Sequence, residues 1–150
     1  MKGQGNRRAM AEYREVDLPS QVQDADPHTL VQLMLDGSVA RIAAAQGAME
    51  AGDTPLKCEL IGKAIGLVEG LRVSLDLERG GDLAANLEAL YRYMVRRLLE
   101  ANLRSDAGIL TEVGSLLREV QTGWREMGQS LARQELRSGE QEQSAAAPAP

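Results

Sequence analysis

Phenylalanine is absent from this 150-residue chain and aromatic residues make up only 3% of it, so a core has to be assembled from Leu, Val, Ile, Met and Ala. That palette favours helices, because strands draw on aromatic and β-branched side chains. A single cysteine, Cys58, excludes an intramolecular disulfide. A single histidine, His28, excludes the paired Glu-x-x-His motifs of di-metal helical bundles. No apolar run approaches the ~18 residues of a membrane span, and residues 1–15 hold no apolar stretch of a secretory signal. These absences predict a soluble protein of the reducing cytoplasm, with no membrane insertion. Basic charge is scarce as well: 17 Lys and Arg stand against 22 Asp and Glu, a net charge of -5, which argues against nucleic acid as a partner.

What the chain does contain is helical periodicity. Residues 1–25 are polar, interrupted by Pro19, and read as a flexible N-terminal arm. From Asp26-Pro27, a capping acceptor followed by proline at the first helical position, apolar or small residues fall at Val31, Leu35, Ser38, Ile42, Ala45 and Met49. Thr54-Pro55 repeats the device and opens a second helix through Leu60, Ile61, Ala64, Leu67, Val68 and Leu71, expected to end near Leu77. Asp82 is the expected cap of a third helix carrying Leu83, Leu87, Leu90, Met94, Leu98 and Ala101. A fourth begins at Ser105 or Asp106, runs through Leu110, Val113, Leu117, Val120, Trp124 and Met127, and is expected to fray between Gly128 and Arg137. The remaining residues, 138–150, are small and polar and read as a disordered tail. Four helices of matched length with short connections predict an all-α, antiparallel four-helix up-and-down bundle over residues 26–137.

Few residues suggest chemistry. Gly80-Gly81 lies between helices and belongs to no phosphate-binding motif, so it reads as a tight turn. Cys58 has no second thiol or neighbouring histidine and reads as ordinary packing. His28 in a first turn reads as a solvated residue near the helix cap; a histidine phosphotransfer domain would carry its histidine on a helix wall. Tyr91 and Tyr93, two apart, face different sides of one helix, and Trp124 continues a core stripe. No catalytic, cofactor or metal residue is assigned, and no cofactor is expected. The oddity is apolar excess: Leu30, Val31, Leu33, Met34 and Leu35 crowd six residues of the first helix, more than a bundle member needs. Surplus apolar surface of this kind suits a groove that receives an amphipathic helix or an extended peptide.

Several segments, taken together, are more specific: Val22-Gln-Asp-Ala-Asp-Pro27, Leu33-Met-Leu-Asp-Gly37, Ser74-Leu-Asp76, the Gly80-Gly81 turn, LYRYMVRRLLEAN from Leu90 to Asn102, and Trp124. In order and spacing they resemble the flagellin export chaperones of bacterial flagellar type III secretion, from Val22 to Met127. The resemblance implies a cytosolic, non-enzymatic bundle that binds the disordered C-terminal segment of flagellin, prevents its premature polymerisation and presents it to the flagellar export apparatus. It also implies an N-terminal arm that covers part of the empty groove, here through Tyr13 and Val16. Leu35 stands where the family usually has tyrosine.

The groove candidates are Leu30, Leu33 and Met34 of the first helix, Ile65 and Val68 of the second, and Leu87, Tyr91 and Met94 of the third. A homodimer is a further possibility. The rival readings are a helical adaptor for another amphipathic helix in flagellar assembly and the phosphotransfer domain centred on His28.

Overall fold

The structure, a computed structural model, describes residues 26–145. They form four helices: α1 Pro27–Glu50, α2 Thr54–Val73, α3 Leu77–Arg104 and α4 Ala107–Ala145. An aspartate opens each of them. Asp26 accepts from the Thr29 amide at 2.7 Å, Asp53 from Leu56 at 3.2 Å, Asp76 from Arg79 at 3.2 Å and Asp106 from Gly108 at 2.9 Å. These bonds occupy amides that have no partner inside the helix. At the end of α1, Gly52 takes φ +72°, which lets the Asp53 amide reach back to the Ala48 carbonyl at 2.9 Å and closes the helix.

Each helix packs against its neighbours in sequence, and α4 closes the ring on α1. Cross-helix bonds fix the antiparallel register between those two: His28 meets Trp124, Asp36 meets Gln121 at 2.7 Å, and Gln46 meets Thr111 at 2.9 Å. The expected four-helix up-and-down bundle is the fold observed.

The core is Met34, Leu35, Ile42 and Ala45 from α1, Ile61, Ala64, Leu67, Val68 and Leu71 from α2, Tyr91, Met94, Leu98 and Ala101 from α3, and Ile109, Leu110, Val113 and Leu117 from α4. Leu35 is fully enclosed.

Four boundaries differ from the sequence reading. α2 begins from Asp53 rather than Thr54 and stops at Val73, with Ser74 closing it. α3 starts from Asp76 and not Asp82, because one helical turn forms over residues 77–80 before the chain breaks helical geometry at Gly81 (φ 55°, ψ -136°). That backbone region is open almost only to glycine. α4 runs on to Ala145, past the expected close between Gly128 and Arg137. Residues 129–144 are exposed throughout, and their Leu, Ala, Arg, Gln and Glu content sustains a helix without tertiary support.

Cys58 is exposed rather than packed. The expected arm, with Tyr13 and Val16, lies outside the described residues.

Candidate functional site

At the end of the bundle where α2 turns into α3, four elements leave an apolar cleft of about 340 Å³. Val31 of α1, Leu71 and the turn residue Leu75, Leu83, Ala84, Leu87 and Tyr91 of α3, and Trp124 of α4 form its walls. Leu71 and Tyr91 are its buried floor, while Leu83 stands at the mouth with 64% of its surface open. Val73 and Leu77, close by in the chain, are also exposed, at 61% and 51%.

The local sequence explains the opening. A Cβ on Gly80 would come within 2.5 Å of the Ala84 Cβ, so only glycine lets the turn fold this tightly onto α3. Gly81 then redirects the chain, so that residues 77–80 form a separate turn beside the cleft. Burial pushes the Tyr91 phenol up to about 12, so it faces the cleft as a neutral group.

Trp124 is held by a reciprocal clasp. Its indole N–H donates to the His28 carbonyl at 2.9 Å, and His28 Nε2–H donates to the Trp124 carbonyl at 3.1 Å. The two rings stack, with centroids 4.7 Å apart and planes 10° from parallel. His28 is therefore half-buried, not solvated as expected from sequence, and its Nε2 is engaged rather than presented to solvent as phosphotransfer chemistry requires. A Cβ on Gly128 would collide with the imidazole, so this position of α4 must be bare for the clasp to close.

A second polar seam joins α3 to α4. Glu112 accepts from Tyr93 Oη at 3.0 Å and from Arg97 Nε at 2.9 Å, while Arg97 also reaches Glu100 at 2.7 Å. Both carboxyls are held below their usual range, Glu112 chiefly by the Arg97 hydrogen bond and Glu100 chiefly by that of Arg104. At the opposite end of the bundle Lys57 is buried, and its ammonium donates to the Asn102 carbonyl at 3.0 Å and to Ser105 Oγ at 2.8 Å.

Of the eight groove candidates, the structure brings two, Leu87 and Tyr91, into the cleft. Leu30, Leu33 and Ile65 are half-buried and pack against the core. Met34, Val68 and Met94 are buried, at 2%, 0% and 0% exposure, and offer no surface to a partner in this conformation. The reason is rotational: Met34 and Val68 turn inward between α1 and α2, where Gly70 leaves room for the Met34 sulfur.

The expectation that the first helix carries the apolar surplus is corrected too. Its crowded residues are buried or half-buried, and the open leucines lie largely on α3. Val31, Leu75, Leu83 and Trp124 were missed as cleft residues. Leu83 carries the one legible signal, an apolar side chain placed just after a glycine pair.

Among the described residues no group of three or more His, Cys, Asp or Glu is disposed to hold a metal ion, and no helix is long and apolar enough to cross a membrane. A closed helical bundle with an apolar cleft at one end has the architecture of a binding module. Comparison with known sequences gives that class its family.

The family described as Flagellar protein FliS matches residues 9–131. The flagellar secretion chaperone FliSB of Pseudomonas aeruginosa is 53% identical over 117 residues, covering 78% of this chain and 93% of that protein. The flagellar secretion chaperone FliS of Salmonella typhimurium is 40% identical over 126 residues (83% and 93%), and that of Bacillus subtilis 32% over 118 residues (79% and 87%). This chain belongs to the FliS family of flagellar proteins. It is thereby a member of a family of non-enzymatic flagellar secretion chaperones that serve flagellum biogenesis.

Proposed function

We propose that this chain is a cytoplasmic export chaperone whose cargo is the C-terminal segment of flagellin, held along apolar surface that includes the cleft between Val31, Leu75, Leu83, Leu87 and Trp124. The observation that carries this reading is the cleft itself, apolar and open at Leu83, in a chain of this family. A segment without structure of its own folds against such a surface, and the length of the contact offsets the cost of ordering it. While bound, its apolar residues are withheld from self-association and the cargo remains unpolymerised until it reaches the export apparatus. Tyr13 and Val16 of the arm are the candidates for covering the cleft when cargo is absent.

The test is co-purification with flagellin. Removing about forty C-terminal residues of flagellin, a segment that spans ~60 Å as helix, should abolish capture; undiminished capture overturns the proposal.

A further inference from the structure

Outside the apolar stripe that a bundle member needs, α3 carries a second, mixed stripe of small, basic and large apolar residues. The inner stripe, Ala84, Leu87, Tyr91, Met94, Leu98 and Ala101, is the core face. The second runs along the outside through Ala85, Ala89, Arg92, Arg96, Leu99 and Leu103, in steps of four, three, four, three and four, and every one of these residues is exposed. Alternating steps of three and four are the spacing that keeps one helix facing another over successive turns. Leu99 and Leu103 are large apolar side chains, 55% and 87% open among the described residues. Ala85 and Ala89 have short side chains that allow a second backbone to approach closely.

Charge along this stripe is uneven. Arg79, Arg92, Arg97 and Arg104 of α3 all pair with carboxylates, whereas Arg96 forms no ion pair among the described residues. It lies in mid-stripe and lines an open groove of about 600 Å³ with Glu69 and Arg72 of α2 and Ala89, Arg92 and Val95 of α3. Glu69 is taken by Arg72 at 2.8 Å and Glu88 by Arg92 at 2.9 Å, so among the described residues the Arg96 guanidinium has no counter-charge. In a chain of net charge -5 this is a local basic excess, with three arginines and one glutamate lining the groove beside Ala89 and Val95.

We propose that the outer face of α3 is a second docking surface, and that its occupant is an acidic amphipathic helix of a partner protein other than the cargo. The partner lays a heptad-spaced apolar ridge on Leu99, Leu103 and the alanines, and a Glu or Asp of its flank pairs with Arg96. Leu103 lies about 30 Å along the helix from Leu83 at the cargo cleft, and the stripe faces away from the bundle interior. The proposal requires that cargo at the cleft and partner on this face be held at the same time, which competition with the flagellin segment tests. The surface stands apart from the flagellin reading and survives its failure.

The probe is a synthetic helix of about three heptads with leucine at the core positions and glutamate on the flanks, compared with a version bearing lysine on the flanks. Fluorescence anisotropy with the full chain should show saturable, salt-sensitive binding of the glutamate peptide and at least tenfold weaker binding of the lysine peptide. Arg96→Glu and Leu103→Asp, both at exposed positions, should each weaken the glutamate peptide at least tenfold with circular dichroism unchanged, while Leu83→Asp leaves it unaltered. Saturating flagellin C-terminal segment should not displace it.

Equal binding of both peptides, or indifference to Arg96→Glu and Leu103→Asp, overturns the proposal. Displacement by the flagellin segment overturns it in favour of the cargo as occupant. Self-association of the chain in sedimentation that Arg96→Glu abolishes overturns it in favour of a second copy.

Discussion

Trp124 and His28 exchange hydrogen bonds and stack at 4.7 Å, tying the first turn of α1 to α4 at the point where α4 leaves the bundle. The same indole is a wall of the apolar cleft, so the clasp sets the position of one side of the site. It depends on a glycine four residues beyond the tryptophan, and that dependence can be measured.

Gly128→Ala places a methyl group against the His28 ring. In an exposed helix this exchange gains about 1 kcal/mol from helix propensity. Here the collision reverses the sign, and we expect a net destabilisation of about 1 to 2 kcal/mol in urea unfolding, with a changed emission spectrum of the single tryptophan as the stack opens. A stabilised variant with unchanged emission contradicts the clasp.

Met34→Asp separates core from groove. Met34 is 2% exposed, and a carboxylate there has no partner among the core side chains around it. We expect a loss of about 3 kcal/mol or more and a collapse of the thermal transition. A variant that keeps its melting temperature would return Met34 to the surface.

Lys57→Ala removes the ammonium that holds the α3–α4 turn through the Asn102 carbonyl and Ser105 Oγ, and it empties the space around a 3% exposed side chain. Ser105 sits in the left-handed region (φ 48°), so the turn loses its fastening where its backbone is least comfortable. The expected cost is about 2 to 4 kcal/mol, with faster amide hydrogen exchange around residues 102–106.

Stability should fall at both extremes of pH, for opposite reasons. Glu112 and Glu100 titrate below their ordinary value of 4.5 in the folded chain, so their contribution is present above about pH 4.5 and is lost as acid protonates them. Tyr91 is raised from 10.0 to about 12, so its contribution is present below pH 10 and drains away as pH rises from 10 to 12. Urea midpoints measured across pH should show both declines. Glu112→Gln should flatten the acid limb, and Tyr91→Phe the alkaline one.

The number of helices and their order were legible because each carries a sustained three-four apolar rhythm and an aspartate near its start. The caps were less so: Asp53 and Asp76 outcompeted Thr54 and Asp82, since a cap is decided by which carboxylate reaches a free amide. The end of α4 was missed because residues 129–144 need no burial to remain helical.

The site was the least legible part. Met34, Val68 and Met94 share the periodicity of Leu87 and Tyr91, and spacing cannot separate an inward side chain from one at the edge of a cleft. That distinction comes from how Gly80 and Gly81 bend the chain and from how His28 anchors Trp124, relationships between residues far apart in sequence.

Titration calorimetry of the flagellin C-terminal segment against the native chain and Leu83→Asp tests the central claim most directly. Leu83 is exposed, so the variant should fold normally, yet a charge at the cleft mouth should weaken binding more than tenfold, the loss of about 1.4 kcal/mol or more expected when a leucine contact is replaced by a desolvated carboxylate. Equal affinity of the two proteins would contradict the assignment of the cargo to this cleft.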